Sequence, residues 1–70
     1  MVGEKEKIEL TKRENQVLQL LSEGKTCKEI AVILEIANTT VITYIERLKH
    51  KIDVCNSTEL VYVAAKLGLI

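Results

Sequence analysis

Val41, Ile45, Leu48 and Ile52 stand at steps of four, three and four along the chain. At the helical rotation of about 100° per residue they fall within about a 60° arc, a spacing no strand can use. The opposite face carries Thr39, Ile42, Thr43, Glu46, Arg47, Lys49 and His50. A stripe this narrow seats a helix on neighbours along one edge and leaves the other side wet. The rest of the chain must therefore supply partners for it.

Those partners are legible from their starts. Thr11-Lys12-Arg13-Glu14 and Thr26-Cys27-Lys28-Glu29 both fit the capping box, in which a threonine hydroxyl and a glutamate three residues on satisfy each other's backbone N–H groups. Asn56-Ser57-Thr58-Glu59 is a third cap-then-acid pattern. The first helix is expected to bury Val17, Leu18 and Leu21 and to end at Gly24. The second is expected to bury Ile30, Ala31, Ile33 and Leu34 on one broad face. Glu35-Ile36-Ala37 then connects to the third helix, with Asn38 as its cap. The fourth is expected to bury Leu60, Val63, Ala64 and Leu67 and to stop at Gly68, with Val61, Tyr62 and Ala65 forming a second strip. Residues 1–7, whose charges alternate around Gly3, read as a solvated leader or the remnant of a linker. The expected fold is all-α, a compact four-helix domain over residues 8–70.

Size and composition narrow the function. Seventy residues, 47% of them apolar, make one domain with little room for a cleft and the shell that would hold catalytic groups. No nucleophile–base pair, carboxylate pair or glycine-rich phosphate loop is apparent, so no catalysis and no cofactor are expected. Cys27 and Cys55 lack metal-ligand spacing, and His50 is the one histidine, so no metal site is expected. No apolar run reaches the roughly 20 residues of a membrane span and no signal peptide opens the chain, which suggests a cytoplasmic protein without a membrane partner. Ten Lys and Arg balance ten Asp and Glu. Nucleic-acid binding would therefore have to rest on local charge rather than on a basic protein as a whole.

Two helices joined by three residues, the second strongly amphipathic, describe a helix-turn-helix at about residues 27–46, in which the second helix lies in the major groove. Leu10-Thr11-Lys12-Arg13-Glu14, Val17-Leu18, Gly24, Lys28-Glu29-Ile30-Ala31, Leu34, Thr40-Val41, Lys51-Ile52, Thr58-Glu59-Leu60-Val61 and Gly68-Leu69-Ile70 resemble the LuxR-type, GerE-like DNA-binding domain over about residues 8–70. The resemblance implies a transcriptional regulator that binds double-stranded DNA in sequence-specific fashion, as a homodimer through the fourth helix, with a separate receiver or sensor domain in a longer parent chain. Carried over by position, base reading falls to Ile42, Thr43 and Glu46. Phosphate contacts fall to Thr26, Lys28, Thr40, Lys49 and Lys51, and the local charge adds Arg47. Dimer contacts fall to Val61, Tyr62 and Ala65.

The chain also departs from the family pattern. The usual turn, Leu-Gly-Ile-Ser, reads Leu34-Glu35-Ile36-Ala37, and two positions that often carry lysine hold Ile42 and Glu46. Glutamate can accept from cytosine N4, and isoleucine can meet a thymine methyl, whereas an acid at the groove also repels phosphate. Retuned specificity and weakened affinity are both open. The alternative function is a protein–protein interaction module on the same fold.

Overall fold

The computed structural model describes residues 8–70, and the leader expected over residues 1–7 lies outside the described residues. Four helices follow one another: α1 (Lys12–Ser22), α2 (Cys27–Leu34), α3 (Asn38–Ile52) and α4 (Ser57–Lys66). Helix α3 is the hub. It packs on α1, α2 and α4, while α1 also touches α2 and α4. The predicted stripe is its inner edge, since Val41, Ile45, Leu48 and Ile52 are all buried. They meet Val17 and Leu18 of α1, Ile30 and Ala31 of α2 and Leu60 and Ala64 of α4 in one aliphatic core.

The helix starts follow local chemistry. Thr11 and Thr26 cap α1 and α2 through complete reciprocal boxes with Glu14 and Glu29. Asn56 caps α4 by accepting from the Glu59 N–H at 2.8 Å. Helix α3 departs from expectation. Asn38 is already inside the helix, and the capping position is Ala37, whose methyl group accepts nothing. The backbone compensates in part, with the N–H groups of Thr40 and Val41 both donating to the Ala37 carbonyl. A missing side-chain cap costs about 1 kcal/mol.

All four helices end alike. The N–H groups of Lys25, Ile36, Val54 and Leu69 each reach back five residues, to the carbonyls of Leu20, Ala31, Lys49 and Ala64. This closure needs a left-handed residue just past the helix. Gly24 and Gly68 supply it as expected, but Glu35 (φ 58°) and Asp53 (φ 65°) adopt it with full side chains. Aspartate visits that region more readily than most residues, whereas glutamate bears roughly 1 kcal/mol of Cβ strain. The closure at Glu35 sets the tight turn between α2 and α3 and brings Ile36 back against the core.

Five apolar residues lie further out than expected. Leu21, Leu34 and Val63 are half-buried, Ile33 is 49% exposed and Leu67 is 52% exposed. On α2, Ile33 points about 110° away from the direction shared by Ile30, Ala31 and Leu34. Leu67 occupies the cap of α4, where the chain turns at Gly68, and Leu69 and Ile70 pack against the core instead.

Candidate nucleic-acid interface

Helix α2, the turn at Glu35-Ile36-Ala37 and helix α3 form the helix-turn-helix. Because the core claims one edge of α3, the helical rotation decides what the other edge presents. Thr39, Thr43, Glu46 and His50 run along the middle of the outer face. Asn38, Ile42 and Lys49 lie on one flank, with Thr40 and Arg47 on the other. Ile42 is 44% exposed, and Thr43, Glu46 and Arg47 are exposed as well. The three residues expected to read bases therefore share one open surface.

Hydrogen bonds limit what that surface offers. The Thr43 hydroxyl donates back to the Thr39 carbonyl at 3.0 Å, so its proton is used within the helix. Glu46 Oε2 lies 3.2 Å from Lys49 Nζ, with the glutamate side chain 65% exposed and the lysine 21% exposed. An exposed pair of this kind is worth about 0–1 kcal/mol, so Lys49 can leave it for a phosphate. Arg47 sits over the half-buried ring of Tyr44, 6.0 Å from its centroid, which holds the guanidinium near the helix flank.

The remaining expected contacts are distributed around the motif. Thr26 Oγ1 accepts from the Glu29 N–H at 3.2 Å, which leaves the hydroxyl proton available to an acceptor. Lys28 is exposed on the first turn of α2, and Thr40 is half-buried. Next to Lys28, exposed Val32 and Ile33 line an open groove with Lys25 and Glu29. On α4, Val61 is half-buried, Ala65 is exposed, and Tyr62 is 62% exposed with Lys66 Nζ 5.3 Å from its ring centroid. Cys27 is half-buried and Cys55 exposed, and both are free thiols.

Lys51 is engaged in a way the sequence did not signal. Its ammonium donates to Glu14 Oε1 at 2.7 Å and to the Glu9 carbonyl at 3.0 Å. Glu14 Oε1 also accepts the Thr11 N–H, so one buried carboxylate both closes the α1 capping box and ties α3 to α1. Glu14 and Lys51 are 37 residues apart, and only the crossing of the two helices brings them together. Burial pushes the Glu14 pKa up. The hydrogen bond from Lys51, the Thr11 N–H and the Lys51 charge outweigh burial and hold it below its ordinary value of 4.5. A lowered native pKa means the unfolded chain takes up the proton first on acidification. The stabilisation is thus complete above pH 4.5 and is lost as pH falls through the native value. Urea unfolding at pH 7 and pH 3 is expected to show that acid loss in the parent and a smaller one in Glu14→Gln. Equal losses in both would remove Glu14 from the account.

Among the described residues no helix is long and apolar enough to cross a membrane, and no group of His, Cys, Asp and Glu is placed to hold a metal ion.

The family model for bacterial regulatory proteins of the luxR family matches residues 9–64. The chain is 41% identical over 61 residues to the uncharacterized response regulatory protein YgeK of Escherichia coli K12, covering 87% of this chain and 42% of that one. It is 46% identical over 61 residues to VjbR of Brucella ovis, an HTH-type quorum sensing-dependent transcriptional regulator, covering 87% and 24%. Among solved structures, the VqmA dimer of Vibrio cholerae in the absence of target DNA is similar at a TM-score of 0.89 and 32% identity, over 93% of this chain and 29% of that one. The chain spans less than half the length of either of these two curated relatives.

Proposed function

The chain belongs to the LuxR family of bacterial regulatory proteins, and from that premise we propose that it is a sequence-specific, DNA-binding transcriptional regulator that enters the major groove with α3. The observation that carries the reading is the division of α3 into a fully engaged apolar edge and an outer face left open, flanked by Lys49 on one side and Arg47 on the other. In a helix-turn-helix the outer face of the second helix meets base edges, while the preceding helix crosses the phosphate backbone. Ile42, Thr43 and Glu46 then read bases. Thr26, Lys28, Thr40, Arg47 and Lys49 contact phosphates.

Lys51 stands outside that phosphate set in this proposal, because its charge is already used by Glu14. The distinction is measurable, since each phosphate neutralised by a cation contributes about 0.9 to the slope of log K against log salt. Lys28→Ala and Arg47→Ala are each expected to flatten the slope by about one on a mixed-sequence duplex, and Lys51→Ala to leave it unchanged. Slopes unaltered in the first two variants would contradict the phosphate role. A parent protein with no salt-sensitive DNA binding would favour the interaction-module reading, to which exposed Val32 and Ile33 lend apolar surface.

Association through α4 is part of the proposal. Val61, Tyr62 and Ala65 form a strip with a small residue that permits close approach and an aromatic ring that remains 62% exposed. Sedimentation equilibrium is expected to show a concentration-dependent mass that Tyr62→Glu abolishes. A strict monomer with and without DNA would rule out the dimer. Signal input through a receiver or sensor domain is proposed from the likeness to YgeK, which is named a response regulatory protein.

A further inference from the structure

The outer face of α3 is short of hydrogen-bond donors where it should read bases. Ile42 is apolar, the Thr43 hydroxyl proton is committed to the Thr39 carbonyl, and Glu46 is a carboxylate that can only accept. In the major groove guanine shows two acceptors, N7 and O6, and needs a donor from the protein. Cytosine shows the N4 amino donor, and thymine shows a methyl group beside an acceptor. The stretch from Ile42 to Glu46 therefore suits a methyl group or an amino donor and repels guanine, and it favours cytosine over adenine because adenine sets the N7 acceptor beside its amino group.

Resting on the reading of α3 as the groove helix, we infer that this chain selects a cytosine through Glu46 and a thymine methyl through Ile42, about two base-pair steps apart. The spacing follows from geometry. Four helical residues advance about 6 Å, and successive base pairs are about 3.4 Å apart. The charge cost is met locally. Lys49 Nζ lies 3.2 Å from Glu46 Oε2, so an ammonium reaching a phosphate from this flank still screens the carboxylate, and Oε1 remains for the base. Glu46 is thus a specificity-determining residue whose negative charge is screened by its own helix.

The test is selection of preferred duplexes from a random pool by the parent and by Glu46→Gln. The parent is expected to retain cytosine at one position by at least about fivefold over the other bases. Glu46→Gln is expected to move that preference to adenine, whose N6 and N7 suit an amide. On the selected duplex, deoxyuridine in place of the expected thymine is expected to weaken the parent several-fold and Ile42→Ala hardly at all. Guanine at the Glu46 position, or the same selected sequence from both proteins, would overturn the inference. If salt-sensitive binding to mixed duplex persists in that event, the proposed function stands and only this assignment falls. If no salt-sensitive binding occurs, both fall.

Discussion

Leu48→Ala is expected to lose most of the stability of this domain, whereas Ile42→Ala, six residues earlier on the same helix, should lose almost none. Leu48 is fully buried in the aliphatic core that α3 shares with the other helices, and truncating such a side chain costs about 2–5 kcal/mol through lost transfer energy and the cavity left behind. A chain of 70 residues has about 4–10 kcal/mol in total at typical stabilities per residue. The melting temperature should therefore fall by tens of degrees, since about 1 kcal/mol moves it roughly 4–8 °C in a domain of this size. Ile42 is 44% exposed on the outer face, and its truncation should stay within about 0.5 kcal/mol. Thermal and urea unfolding of the two variants decide the matter. Similar losses from both would mean that the outer face of α3 is covered, and the proposed interface would go with it.

Glu46→Lys is expected to strengthen binding to DNA of any sequence by one to two orders of magnitude at low salt and to steepen the salt slope by about one to two. Three changes act in the same direction. A charge that repels phosphate is removed, a cation is introduced, and Lys49, 3.2 Å from Glu46 Oε2 in the parent, no longer divides its charge between that carboxylate and the backbone. The gain should shrink toward physiological salt because it consists of released counterions. Discrimination between a selected site and mixed sequence should fall, since the acceptor proposed for cytosine is gone. Anisotropy titrations across salt concentrations, on selected and mixed duplexes, measure both effects. Equal affinities of parent and variant on both duplexes would show that residue 46 points away from DNA.

The physical logic of the domain is a division of labour along one helix. Aliphatic contacts hold the inner edge of α3 so firmly that its outer edge can be polar without loss of fold. The short, left-handed closure at Glu35 fixes the angle at which α2 delivers the chain to α3. Its strain and the absent cap at Ala37 weaken the turn locally, and burial of Ile36 against the core offsets part of that cost.

The sequence by itself determined the starts of α1, α2 and α4 and the inner edge of α3, while the cap of α3 fell at Ala37 rather than at Asn38. Thr11, Thr26 and Asn56 act on backbone groups three residues away, and Val41, Ile45, Leu48 and Ile52 recur at the period of the helix, so the first signal is complete within one turn and the second within about three. From them followed the order of the helices and the open face that carries the proposed base-reading residues. Tertiary structure alone decided the rest. The partner of Lys51 is a carboxylate 37 residues away, and nothing local to either residue names the other. Ile33 is an exception, since the helical rotation by itself turns it about 110° from Ile30, Ala31 and Leu34 and so leaves it half outside. Glu35 and Asp53 took the left-handed positions expected of glycine because helix closure at those points depends on where the next helix must go. Periodicity and capping are set by covalent spacing. Which charge is consumed and which residue bears strain are set by how rigid helices cross.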